Sequence, residues 1–184
     1  MALEGNKTYL RLAIDFLREI GLTVAEAEIE GGFVPHVRIF KGTLLVDPRA
    51  LVSDLLHEAG HLAITPSRYR HLMDGDLRPG IIEMIRLYGL EDDEPDSKLY
   101  RAVVQASDDG ATAWAFAAGV KLQIPHDEII SGDQYGGDGE TIRACLAANA
   151  YIGINGLSFA GFCSSNRFGK LPVYPNLAFW TQEL

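Results

Sequence analysis

Residues Leu55 to Leu62 read Leu-Leu-His-Glu-Ala-Gly-His-Leu, an HExxH spacing set inside an otherwise apolar run. The stripe of Leu51, Val52, Leu55, Leu56, Ala59, Leu62 and Ala63 predicts that this run is a largely buried helix. Residues four apart on a helix are offset by about 40° and lie about 6 Å apart along the axis, so His57 and His61 project from one face. That separation suits two imidazoles on one tetrahedral zinc. Glu58, about 100° round the same turn, is placed to act on water rather than to complete a chelate. The spacing thus divides the labour as a zinc hydrolase requires, with two neutral nitrogen ligands and one carboxylate free to take a proton. Gly60 costs the helix about 1 kcal/mol relative to alanine, which predicts that another backbone comes close there.

A chain of this size carries HExxH by chance on the order of once in a hundred sequences, so the setting of the motif decides its meaning. Asp47-Pro48 reads as an N-cap followed by proline at the first helical position, and Thr65-Pro66 reads as the stop. Upstream, Val37–Phe40 and Thr43–Val46 are β-rich runs around Lys41-Gly42, a hairpin whose second strand leads into the motif helix. Thr8 to Ile20 reads as an amphipathic helix with Leu10, Leu12, Ala13, Phe16, Leu17 and Ile20 on one side, stopped by Gly21. Thr23 to Glu30 fits no single period. A short helix is expected over Ile81 to Tyr88, then a solvated acidic loop at residues 91–96. A long small-residue helix is expected from Ser97 or Tyr100 to Leu122, followed by a glycine- and acid-rich loop over 126–139. Another helix is expected over 140–152, then a punctuated tail in which Phe159, Phe162, Phe168, Phe179 and Trp180 predict burial. The fold class expected is α+β, helix-dominated and zincin-like, with a short β-hairpin packed on the HExxH helix, in a single domain over 1–184.

Composition limits the function classes. With 184 residues, 47% of them hydrophobic, one domain has enough apolar material for its own core. A net charge of −9 disfavours the broad phosphate contact that direct nucleic-acid binding needs. No run of about 18 apolar residues predicts a membrane span, and no signal-peptide pattern opens the sequence, so a cytoplasmic location is expected. Cys145 and Cys163 then read as free thiols.

Catalytic zinc usually takes three protein ligands, so one more is required. His71 lies ten residues past His61, the wrong spacing for HExxHxxGxxH, and His36 and His126 are lone histidines in loop-like settings. The segment Gln105 to Ala115 offers more. Asp108, Ala111, Ala115 and Ala118 share one helix face, and its small residues would let it pack tightly on Ala59-Gly60. A carboxylate at the end of that face is the expected third ligand, Asp108 ahead of Asp109. The alternative is that both acids simply favour a helix's first turn.

These elements resemble the ImmA/IrrE family of zincin-like metallopeptidases. That family pairs a strand and a HE-[LA]-GH helix with a later helix of the form E-x-E-A-N-x-F-A, ending near Leu-x-Pro. Here the corresponding pieces are Thr43–Val46, His57 to His61, Asp108 to Ala115, and Leu122-Gln123-Ile124-Pro125, so the resemblance covers roughly residues 35–125. An aspartate stands where the family has a glutamate, one methylene longer, so the two helices must approach more closely. The segment between His61 and Asp108 is longer than in the family pattern, and Pro125 comes about one turn late. The resemblance implies a peptide or protein substrate, a transcriptional repressor by family analogy, although no helix-turn-helix segment is evident.

The function expected is a zinc-dependent metallopeptidase with Zn2+ on His57, His61 and Asp108 (or Asp109) and Glu58 as general base. Tyr69, His71, Tyr135 and Tyr151 are candidates for oxyanion stabilisation. The alternative is a catalytically inactive or regulatory zincin-fold binding protein with a structural metal. Gly132-Asp133-Gln134-Tyr135-Gly136 also faintly resembles the GTxDxxYG element of aspzincins, with the spacing off by one.

Overall fold

The computed structural model describes residues 2–30, 34–91 and 96–184. The chain opens with α1 (Ala2–Glu19) and β1 (Val24–Glu26), then forms the hairpin β2 (Val37–Phe40) and β3 (Thr43–Val46). The motif helix α2 (Val52–Ile64) follows, then a 3-10 turn (Ser67–Leu72), α3 (Leu77–Glu91), α4 (Lys98–Val104) and α5 (Asp108–Lys121). The remainder is helical in short pieces: α6 (His126–Ile129), a 3-10 turn (Tyr135–Gly137), α7 (Gly139–Ala147) and α8 (Ile152–Phe159). The fold is α+β and helix-dominated, as the sequence indicates. No helix among the described residues is long and apolar enough to cross a membrane.

The sheet has three strands in the order β1-β3-β2, with β1 parallel and β2 antiparallel to β3. Lys41 and Gly42 both adopt positive φ (47° and 78°), the left-handed pair that a tight two-residue hairpin requires. Alternation puts Val37, Ile39, Leu44 and Val46 into the core, where α2 packs on β2 and β3, and α1 packs beside α2. The α1 helix starts earlier than its apolar stripe suggests and leaves Leu12 exposed rather than buried. Its end follows from Gly21 (φ 92°): the N–H of Gly21 bonds to the Arg18 carbonyl and that of Leu22 to the Leu17 carbonyl, a Schellman closure.

Asp47-Pro48 does not cap α2. The helix begins five residues later at Val52, whose N–H is accepted by the Asn6 side chain of α1 at 3.0 Å. Asp47 instead starts a turn, its carbonyl bonded to the Ala50 N–H. Aspartate followed by proline serves a turn as well as a helix start, and here the turn prevails. The carboxylate of Asp47 is 1% exposed and accepts from the Ile29 N–H at 3.0 Å and from Arg49 at 2.7 and 2.8 Å. At the other end α2 stops at Ile64 as expected, with Thr65 donating its hydroxyl to the His61 carbonyl at 2.7 Å.

The expected long helix over 97–122 is two helices. Val104 ends α4, and Ser107 restarts the chain as an N-cap, accepting from the Gly110 N–H at 3.2 Å. Downstream, the loop expected over 126–139 contains α6, and the helix expected over 140–152 breaks at Asn149 (φ 58°) into α7 and α8. The acidic stretch at 91–96 lies mostly outside the described residues.

From Gly110 to Gly119, α5 is buried on every side. Its tightest contact is with α2, where a Cβ on Gly60 would stand 2.5 Å from the Ala111 carbonyl oxygen. On another side, a Cβ on Gly153 of α8 would overlap the Asp109 carbonyl. The tail covers the rest. Trp114 donates its indole N–H to the Trp180 carbonyl at 2.9 Å, Tyr174 donates to the Ala113 carbonyl at 2.9 Å, and the Gln182 N–H donates to Ala63 at the end of α2. Phe162 is buried, but Phe159 and Phe168 are exposed, contrary to the expectation for the tail as a whole. Cys145 and Cys163 are free.

Two outcomes follow from this packing. Gly60→Ala should lower unfolding stability by about 1–3 kcal/mol in urea titration, because the overlap with Ala111 outweighs the gain in helix propensity; a more stable variant would mean the two backbones do not touch. For Asp47, the Arg49 guanidinium and the Ile29 and Arg49 N–H groups hold the carboxyl well below its ordinary value of 3.8. A pKa depressed by folding contributes stability above the unfolded value and loses it as pH falls. Asp47→Asn should therefore lower Tm at neutral pH, with the gap to wild type closing as pH drops below 3.8. A gap independent of pH would show that the charge contributes nothing.

Candidate metal centre

The i, i+4 spacing on α2 and the first residue of α5 meet at one point. His57 Nε2 lies 3.2 Å from Asp108 Oδ1, and His61 Nε2 lies 3.5 Å from the same oxygen. The two rings stand nearly perpendicular, with centroids 4.9 Å apart. Nitrogen and oxygen ligands about 2.0–2.1 Å from a tetrahedral ion are separated from one another by about 3.3 Å, so both nitrogens already stand near ligand spacing from the oxygen. Among the described residues, His57, His61 and Asp108 are the group of His, Cys, Asp and Glu side chains brought close enough to hold a metal ion, their ligand atoms all within 4.8 Å of one another. The donor set, two imidazoles and one carboxylate, suits a divalent transition ion. The histidines are mostly covered, while Asp108 is 69% exposed, so the group faces outward on its carboxylate side.

Asp109 does not join this group. Its carboxylate accepts from the Tyr151 hydroxyl at 2.9 Å, and its carbonyl abuts Gly153. Both aspartates do lie in the first turn of α5, so the helix-start reading describes their position correctly. What sets Asp108 apart is its contact with both histidines.

The electrostatics follow from this closeness. Hydrogen bonds from His57 and His61, with their charge, hold the Asp108 carboxyl well below the usual carboxylate range. Burial works against a charged His57, but the hydrogen bond to Asp108 and the charges of Asp108, Glu58 and Asp54 outweigh it, and its pKa is raised. Glu58 is half-buried and accepts no hydrogen bond from the described residues. Burial raises its pKa, partly opposed by His61 and His57 beside it.

The other candidates separate clearly. Tyr69 is buried in the core, and His71 is exposed on the 3-10 turn. The His126 ring packs edge-on against Phe116, and His36 lies 3.9 Å from Asp47. Asp133, the acid of the aspzincin-like segment, accepts from Ser131 and stands outside the metal-type group. Tyr135 does reach the site, but on the side of His57 away from Asp108, with its hydroxyl 3.2 Å from Nδ1.

Thr112 is a contributor the sequence reading missed. It lies four residues after Asp108, one helical turn or about 6 Å further along α5. That step spans the two nitrogens of one imidazole: Asp108 Oδ1 meets Nε2 of His57, and Thr112 Oγ1 lies 3.4 Å from its Nδ1. The available signal was a hydroxyl at i+4 on the same small-residue face.

A cleft of about 520 Å3 opens beside His57 and Asp108, with apolar walls from Val34, Ala115, Ile129 and Ile130. A larger hollow of about 600 Å3, walled by Lys98, Arg101 and Phe159, contains none of the four residues His57, Glu58, His61 and Asp108. Comparison with protein-family models, with characterised proteins and with solved structures finds no match to this chain.

If the cluster is a metal centre, the purified protein should carry about one zinc ion per chain by mass spectrometry. His57→Ala and Asp108→Ala should each remove it, and Asp109→Ala should retain it. Loss of metal with Asp109 rather than Asp108 would contradict this arrangement.

Proposed function

We propose that the chain is a zinc-dependent peptidase of the zincin type, with His57, His61 and Asp108 as ligands and Glu58 as general base. The observation that carries this reading is the convergence of both Nε2 atoms on one Asp108 oxygen, beside a half-buried carboxylate that has no hydrogen-bond partner among the described residues. The resemblance to the ImmA/IrrE metallopeptidases, over roughly residues 35–125, supports the same assignment. A cytoplasmic location accords with the two free thiols.

A bound zinc ion would polarise a peptide carbonyl and make water more acidic. The chain's own residues would do the rest. The cleft beside His57 and Asp108 offers apolar walls, and a substrate side chain seated there would leave the scissile bond near the histidine face of α2. Glu58 takes the proton of the attacking water as the new C–O bond forms. It then passes that proton to the amine nitrogen as the C–N bond breaks, which leaves Glu58 ionised for the next cycle. The water-side proton carrier is thus distinct from Asp108, whose oxygen is committed to the two histidines.

Glu58→Gln tests the division of roles. The variant should keep its fold and its metal, because Glu58 contributes to neither, while hydrolysis of a peptide library falls by about 10²–10⁴-fold. Undiminished turnover would remove Glu58 from the mechanism, and loss of zinc would make it a ligand instead.

A further inference from the structure

The segment Gly132 to Gly136 contributes no ligand, yet it is built to deliver one hydroxyl to the site. Gln134 anchors it at both ends of its amide. Its Nε2 donates to Ser53 Oγ and to Asp54 Oδ1 in the first turn of α2, both at 3.2 Å, and its Oε1 accepts from the Ser131 N–H at 2.9 Å. The next three residues all have positive φ: Tyr135 at 56°, Gly136 at 71° and Gly137 at 99°. Glycine adopts this region freely, but tyrosine does so at a cost that surrounding contacts must offset. The result is that the phenol turns back onto α2. Its hydroxyl lies 3.2 Å from His57 Nδ1 and 3.0 Å from Thr112 Oγ1, and Thr112 lies 3.4 Å from the same nitrogen.

From this geometry we propose that Tyr135 and Thr112 form a hydroxyl pair that positions His57 through Nδ1, keeping Nε2 aimed at the point shared with His61 and Asp108. Tyr135 is a positioning residue and not an oxyanion stabiliser, because its hydroxyl is spent on the far side of the ring from the ligand face. The choice of hydroxyls has chemical content. A carboxylate at this place could only accept, whereas a hydroxyl can donate or accept. The pair can therefore hold His57 whichever ring nitrogen carries the proton: it accepts from Nδ1–H when Nε2 is engaged by a cation, and donates to Nδ1 when Nε2–H points at Asp108. Partners at the non-ligating nitrogen of this kind typically change metal affinity by about 10–100-fold when removed.

The proposal rests on the metal reading of the same site, so its test has one readout that needs no metal. Tyr135→Phe and Thr112→Val remove one hydroxyl each and keep shape; Tyr135 is partly exposed, so its variant should fold even if the buried Thr112 variant does not. In the metal-free protein labelled with 15N histidine, the His57 ring resonances should move in Tyr135→Phe while those of His71 stay in place. In zinc competition against a chromophoric chelator, Tyr135→Phe should bind about tenfold more weakly, the double variant up to about a hundredfold. The visible spectrum of the cobalt-loaded variant should also change. Unmoved His57 resonances overturn the proposal, as does an unchanged affinity where wild type binds zinc. If wild type takes up no zinc, the metal reading fails, and the resonances alone decide whether the hydroxyl pair positions His57.

Discussion

The contact between the backbones of α2 and α5 governs the geometry of everything around it. An aspartate side chain is short, and Asp108 reaches two histidines on a neighbouring helix only if the helix axes lie close together. Gly60, opposite Ala111, makes that approach possible, since any side chain at 60 would collide with the Ala111 carbonyl. On another side of α5, Gly153 of α8 allows a still closer contact at Asp109, so the start of α5 is held from two directions. Packing of small residues, rather than a long reach by polar ones, fixes the carboxylate.

Much of this was legible because it is local. The apolar stripe and the HExxH spacing specify α2, Lys41-Gly42 specifies the hairpin, and Gly21 specifies the end of α1. Asp108 and the small-residue face could be singled out because they share a helical period with one another. The readings that failed depended on partners distant in sequence. Asp47-Pro48 has the composition of a helix start, but Asn6, 46 residues before Val52, supplies the cap, and Ile29 and Arg49 claim the Asp47 carboxylate. The break at Gln105 to Ser107 has no proline or glycine to announce it; Ser107 could have been read as a cap, but unbroken helical propensity on both sides argued for continuity. Tyr135 stood out only as one of several tyrosines and as part of a faint aspzincin-like segment, because its place depends on Gln134 meeting α2 across 80 residues.

Around the two imidazoles the chain arranges its polar groups in distinct stations. Asp108 takes the shared ligand side, Thr112 and Tyr135 take the back of His57, and Tyr151 occupies Asp109. Glu58 alone of these groups has no such engagement among the described residues. Pairing matters in a partly covered setting, where an unsatisfied polar group is costly and a satisfied network is rigid. Among the described residues the arrangement leaves the Glu58 carboxylate free beside several that are held.

The tail adds a constraint in time. All three metal-type residues have been synthesised once α5 begins, but Trp180 and Gln182 supply the hydrogen bonds that fasten α5 and the end of α2 from outside, and Tyr135 arrives between the two events. These are long-range closures, which form late relative to local helices. The side chains of the metal-type group therefore all precede, in chain order, the strap that fastens the helices carrying them.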